Sequence, residues 1–233
     1  MEVILLPGLD GTGKLFSPLL KALPASVKVR VIDYPTQEII SYANLIDYVI
    51  ERLPTDHDFM LVGESFSGPL AYMIAQRNLS HLKALIFVAS FLHSPRPFLL
   101  RVFCLLPISF LISMPSPRFL LRLVTLGPGS DRQMQTDVYQ TVKSVNPKVL
   151  ASRFQEINKL RLKPAKLPMQ IAYLQAAHDR VVPARNLKPF HQLSDALKCY
   201  KVSGSHMIMQ TAAEDCAKVI VSELQRYENK GMP

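Results

Sequence analysis

The 233-residue chain is long enough for one large domain, or a domain carrying an insertion, with a sizeable buried core. With 48% hydrophobic and 19% charged residues it is not a disordered chain. The net charge of +9 suits an acidic partner, but no aromatic stripe marks a surface for single-stranded nucleic acid.

The chain opens on a short apolar run, Val3–Leu6, ending in Pro7-Gly8, as a buried strand entering a turn does. With Glu2 at its start the run is too short and too acidic for a signal peptide. The turn that follows, "GLDGTGK" (Gly8–Lys14), comes close to a phosphate-cradling loop. Leu15 stands where a magnesium-binding Ser or Thr belongs, so a nucleotide site is not expected. Asp10 either caps the next helix or shapes the loop, and Lys14 is read as solvated. Helical spacing then covers Leu15–Leu23, a strand Val27–Ile32, a helix Tyr42–Leu53 and a third strand Phe59–Val62. A helix Pro69–Arg77 and a fourth strand Leu82–Ala89 follow. Beyond residue 165 come strands Met169–Leu174 and Leu197–Val202, with helices near Ala184–Leu193 and Ala212–Arg226. Strands alternating with helices imply a parallel sheet covered on both faces.

Residues 91–165 break that alternation. They are rich in proline and in apolar helical stretches and show no clear strand, so they read as a helical cap inserted in a core made of 1–90 and 166–233. "VFCLLPISFLISM" (Val102–Met114) is shorter than the roughly 20 apolar residues of a membrane span. It is broken by Pro107 and flanked by Arg101 and Arg118. Cys104, Cys199 and Cys216 are odd in number and lack metal-ligand spacing, as reduced thiols of a cytoplasmic protein do.

The segment "LVGESFSGPLA" (Leu61–Ala71) carries the strongest chemical signal. A strand ends, small residues flank a serine, and a helix begins at once. Such a turn lifts Ser65 Oγ clear of the sheet edge, and the helix N-terminus behind it supplies N–H groups and positive potential. Ser67 stands where the second glycine of G-x-S-x-G belongs, and is a rival nucleophile with poorer flanks for the turn. A serine nucleophile needs a base, and the base an orienting acid. Asp179, in "YLQAAHDRVVP", and His206, in "VSGSHMIMQ", both follow strand ends and so share an edge with Ser65. His57 precedes a strand, His81 and His191 lie in connections leading into strands, and His178 has no separate acid. His93 follows the fourth strand and is placed to line a pocket.

In "LLPGLDG", "GESFSG", "AAHDRVVP" and "GSHM", in this order, the chain resembles the α/β-hydrolase superfamily over nearly its whole length. The resemblance implies a Ser65–Asp179–His206 triad and an oxyanion hole built from the backbone N–H groups of Leu9 and Phe66. Many relatives have His-Gly where this chain has Pro7-Gly8, a change that leaves the Leu9 amide in place. The two antiparallel strands that often open the family's sheet are absent, so about six parallel strands are expected, with helices on both faces. The implied activity is a serine esterase that cleaves a carboxylic ester or thioester through an acyl-enzyme, with no metal or organic cofactor. Acyl transfer to an alcohol and a non-catalytic binding protein are the alternatives on the same fold.

From Ser65 through Ser130 there is no Asp or Glu, yet the cap carries Arg96, Arg101, Arg118 and Arg122. These arginines read as a basic rim around an apolar entrance for a small acyl ester, presented by an acidic acyl carrier protein or an anionic membrane surface. The chain is similar in size to biotin-pathway methyl esterases, which implies a pimeloyl-carrier methyl ester as the specific substrate. A monomeric cytoplasmic protein is expected, peripheral to a membrane if it meets one, with no nucleic-acid partner.

Overall fold

The computed structural model describes residues 1–105 and 122–230. Six strands form one sheet: β1 (Glu2–Leu6), β2 (Val29–Val31), β3 (Phe59–Glu64), β4 (Leu82–Val88), β5 (Gln170–Ala176) and β6 (Lys198–Val202). Their order is β2-β1-β3-β4-β5-β6 and every pair is parallel. The apolar runs persist through the inner strands because both faces are buried. Val3 and Leu5, Met60 and Val62, and Ala84 and Ile86 pack on one face. Ile4 and Leu6, Phe59 and Leu61, and Leu85 and Phe87 pack on the other.

Helices α1 (Ser17–Ala22), α2 (Tyr42–Ile50) and α3 (Ser67–Ala75) follow β1, β2 and β3 in turn. Leu19 of α1 joins the first face, together with Cys216, Ala217 and Ile220. Leu45, Ile46 and Val49 of α2 and Leu70, Tyr72 and Ile74 of α3 cover the second. Helices α4 (Pro97–Leu105), α5 (Arg132–Ser144) and α6 (Pro147–Lys159) lie between β4 and β5, with a π-helical turn at Arg122–Leu126. After β6 come α7 (Ile208–Thr211) and α8 (Ala213–Lys230). Near the two ends of the stretch between β4 and β5, His93 forms an isolated antiparallel bridge with Arg161 and Leu162 N–H donates to Leu92 O (3.3 Å).

Several boundaries differ from the sequence reading. The expected strand Val27–Ile32 is only Val29–Val31, because it is the sheet's edge and is half-exposed. The expected helix at Ala184–Leu193 is a 3-10 helix, Ala184–Gln192, with Pro189 inside it. Arg118 and most of Val102–Met114 lie outside the described residues, as does the side chain of Cys104. No described helix is long and apolar enough to cross a membrane.

The sheet order reverses direction at β1. The chain leaves β1 towards β2 and returns on the other side as β3, so β1 and β3 are neighbours with Leu6 opposite Gly63. At such a switch point the loops beyond the two strand ends splay apart and open a crevice. Gly8–Lys14 and Ser65 occupy those two loops.

Candidate active site

Ser65 sits at the crest of the turn between β3 and α3 with φ 47°, a left-handed conformation that a non-glycine residue holds only under strain. Three hydrogen bonds fix it there or close the turn around it. Ser65 N–H donates to Val88 O (2.8 Å), Ser90 Oγ donates to Ser65 O (2.7 Å) and Gly68 N–H donates to Ser65 O (3.1 Å). The turn also demands glycine at Gly63, where a Cβ would lie 2.7 Å from Ser67 O.

The structure brings the three sequence-predicted residues into one row. Ser65 Oγ is 2.8 Å from His206 Nε2, and His206 Nδ1 is 2.8 Å from Asp179 Oδ2. Asp179 Oδ1 accepts from the amides of Val181 and Val182, each at 2.8 Å. With one carboxylate oxygen held by backbone and the other on Nδ1, the ring is kept in the tautomer whose Nε2 accepts the serine proton. The side chains of His206 and Asp179 are 10% and 6% exposed, so water competes little for this bond. The His206 loop meets the π-helical turn, where Met207 N–H donates to Thr125 O (3.1 Å).

The loop after β1 lies against the two residues flanking the Ser65 turn, with Gly8 beside the Glu64 carboxylate and Pro7 O accepting from Ser67 Oγ. Gly8 O accepts from Gly11 N–H (3.1 Å), and Asp10 Oδ1 accepts from Thr12 N–H (2.8 Å) and Thr12 Oγ1 (2.6 Å). Asp10 therefore shapes the loop and does not cap the following helix, whose N-terminus carries no side-chain cap. Lys14 is exposed. Neither Leu9 N–H nor Phe66 N–H has an acceptor among the described residues. Phe66 is held in place by the Tyr42 hydroxyl, which donates to Phe66 O (2.8 Å), and by stacking of the two rings at 4.7 Å.

Glu64 precedes Ser65 and its carboxylate is turned inward, 7% exposed. Gln210 Nε2 donates to its Oε1 (3.0 Å), and Gly8 lies against its Oε2. Burial pushes this carboxyl up to about 7, helped by the nearby charge of Asp10 and opposed by Gln210, His206 and the Gly8 amide.

Ser67 is brought to the site but not as a nucleophile. It is fully buried, and its hydroxyl donates to Pro7 O while sharing a 2.5 Å hydrogen bond with the Tyr34 hydroxyl. His57 and His81 lie at the opposite sheet edge beside Glu2 and Asp58. His93, which the sequence places beyond the fourth strand, forms an isolated antiparallel bridge with Arg161. Cys216 is buried and Cys199 exposed, both unpaired. No cluster of three or more metal-ligating side chains occurs among the described residues. Sequence reading gave no role to Tyr34, Tyr42, Ser90, Arg153 or Gln210. Tyr34 and Ser90 each follow a strand end, the position that marked Asp179 and His206, whereas Arg153 carries no local signal.

No family model matches the chain. It is 31% identical over 155 residues to phytyl ester synthase 1, chloroplastic, of Arabidopsis thaliana, a match over 58% of this chain. The matched part is 21% of that protein, so the chain spans about a fifth of the curated relative's length. Among solved structures, an esterase from Exiguobacterium antarcticum aligns with TM-score 0.82 at 12% identity, over 97% of this chain and 92% of that one. A thermophilic esterase from Thermogutta terrifontis aligns with TM-score 0.81 at 13% identity, over 97% and 90%. A bromoperoxidase from Bacillus anthracis aligns with TM-score 0.80 at 14% identity, over 96% and 91%. At these identities the likeness is one of fold, and two of the three structures are of esterases.

Proposed function

We propose that this chain, which has the α/β-hydrolase fold, is a serine hydrolase that cleaves a carboxylic ester or thioester of an acyl chain. The observation that carries the reading is the row from Ser65 through His206 to Asp179, at 2.8 Å and 2.8 Å, together with the Leu9 and Phe66 amides that have no acceptor among the described residues. In the first half-reaction Ser65 Oγ attacks the carbonyl carbon as its proton passes to His206 Nε2. The carbonyl oxygen takes the negative charge and is received by Leu9 N–H and Phe66 N–H. Asp179 stabilises the imidazolium. The intermediate collapses, the C–O or C–S bond breaks, and His206 returns the proton to the leaving alcohol or thiol. In the second half, water gives a proton to His206 and attacks the acyl-enzyme, and Ser65 leaves with that proton to release the acid. The test is a fluorophosphonate probe with p-nitrophenyl esters of graded chain length. Wild type is expected to be labelled and to hydrolyse them. Loss of neither signal in Ser65→Ala sinks the assignment.

The similarity to a phytyl ester synthase favours a second reading, in which an alcohol replaces water in the second half-reaction. Chemically only the attacking O–H differs. Incubation of an acyl ester with a long-chain alcohol separates the two: transfer yields a new ester, hydrolysis yields only the acid.

The partner we propose is an acidic acyl carrier protein, with the pimeloyl-carrier methyl ester as the specific case. It rests on the run from Ser65 to Ser130 without an acidic residue and on the exposed Arg101.

A further inference from the structure

One buried cation links the cap to the loop that bears Leu9. Arg153 lies on α6, 4% exposed, and among the described residues its hydrogen bonds go to backbone carbonyls and none to a carboxylate. Its Nη1 donates to Leu9 O (2.8 Å) and Asp10 O (2.7 Å), and its Nη2 to Pro35 O (2.9 Å). Gly11, at φ 71°, lies against it: a Cβ there would be 2.5 Å from Nη1, so glycine is required for the guanidinium to reach the loop.

The consequence for Leu9 follows from peptide geometry. In a trans peptide the C=O and the N–H point in opposite directions. Gly8 O is taken by Gly11 N–H, which turns the Leu9 N–H of the same peptide to the other side of the loop. The next two carbonyls, Leu9 O and Asp10 O, converge on Arg153. Two carbonyl dipoles aimed at one point repel unless a cation or donor lies there. The Leu9 side chain packs against Val145, Val149 and Leu150, so the segment that carries Arg153 also grips this residue by its apolar end.

Resting on the hydrolase reading above, we propose that Arg153 is a positioning residue for the reaction. It acts through the Leu9 peptide, holding carbonyls on its own side so that the Leu9 amide is presented to the developing oxyanion. Its charge is central to the role. A buried guanidinium is costly to desolvate, and an apolar side chain of similar volume would serve packing as well or better. A role in transition-state stabilisation predicts a loss in kcat with KM preserved, because an oxyanion donor acts on charge that the bound ester does not yet carry.

The experiment measures kcat per fluorophosphonate-titrated serine, KM for p-nitrophenyl butyrate, and affinity for an alkyl boronic acid, which mimics the tetrahedral intermediate. These are compared in wild type, Arg153→Met and Arg153→Lys, with melting temperatures recorded alongside. In Arg153→Met, kcat per titrated site is expected to fall roughly 10²-fold, as a misplaced group or lost oxyanion donor costs. KM should stay within about twofold and boronate affinity should fall in parallel with kcat. Lysine keeps the charge but not the fork, so Arg153→Lys should fall between the two. It also serves if Arg153→Met does not fold. If both variants lose titratable sites or melting temperature while kcat per site stays within twofold of wild type, Arg153 is only a cap anchor and the proposal is overturned. A wild type that takes no label at all overturns the hydrolase reading, and this inference with it.

Discussion

The hydroxyl of Ser67 donates to the carbonyl of Pro7, so the residue two places after the proposed nucleophile braces the loop two places before Leu9. Its acceptor capacity is used as well, by the Tyr34 hydroxyl at 2.5 Å. A glycine, the more usual residue at this point of the turn, offers neither bond. Ser65→Ala is therefore expected to abolish fluorophosphonate labelling and ester turnover. Ser67→Ala should keep the label on Ser65 and lose turnover by about tenfold, less than the roughly 10²–10³ that a deleted oxyanion donor costs, because the loop retains its other ties. Mass spectrometry of the labelled peptide together with p-nitrophenyl butyrate rates makes the comparison. Label on Ser67 in the Ser65→Ala variant would reverse the assignment.

Asp179 divides its two oxygens between His206 Nδ1 and the amides of Val181 and Val182. Asparagine has one acceptor oxygen for these two tasks. The amides converge on one point and are expected to keep it, which leaves the NH₂ facing Nδ1. The ring must then carry its proton on Nε2, where it cannot accept from Ser65. Asp179→Asn should cost about 10⁴ in kcat, the scale of the equivalent change in a serine protease triad, with the fold and melting temperature little changed. Substitution that leaves kcat within tenfold would mean that the carboxylate does not set the tautomer.

Glu64 makes stability depend on pH. Burial pushes its carboxyl up to about 7 in the folded chain, from the ordinary 4.5 of a solvated glutamate. Between those two values the folded state holds a proton that the unfolded state has released, so stability falls as pH rises. The contribution is fully present below about pH 4.5 and is lost as pH climbs through 7. The swing is on the order of 3 kcal/mol for a shift of this size. Asp10, His206 and Gln210 face the same carboxyl, and Glu64→Gln leaves all three in place. Thermal unfolding from pH 5 to 8 is expected to show the variant gaining on wild type as pH rises. Parallel curves would show that Glu64 is ionised throughout.

The parallel sheet and the three residues of the row were legible because each leaves a local mark. Apolar runs alternate with helical spacing when a sheet is buried on both faces, and Ser65, Asp179 and His206 each follow such a run directly. Of what surrounds them, Tyr34 and Ser90 share the strand-end position, but the rest leaves no such mark. Arg153 meets Leu9 across 144 positions, and a buried arginine is written like a solvated one. Ser67 looked like an imperfect glycine because its role depends on Pro7 and Tyr34, which the fold brings to it. The edge strand β2 is shorter than the alternating run Val27–Ile32 because strand length there is set by pairing with β1 alone. Proline in the 3-10 stretch at Pro189 was visible, but its neighbours' amphipathic spacing is shared by both kinds of helix.

The proposed carrier partner is testable by charge. Arg101 is exposed on α4, and Arg118 lies in sequence within the same acid-free run, outside the described residues. Attraction between these arginines and an acidic carrier is screened as the Debye length falls from about 10 Å at 0.1 M salt to about 3 Å at 1 M. kcat/KM for a carrier-bound acyl ester is therefore expected to fall steeply with salt, mostly through KM, and to fall again in Arg101→Glu and Arg118→Glu. A small neutral ester feels no such field and should respond to neither change, which separates recognition from damage to the site. Competition by phosphatidylglycerol vesicles, without competition by the apo carrier, would reassign the arginines to an anionic membrane. Equal salt dependence for carrier-bound and free esters would leave the arginines without a part in recognition.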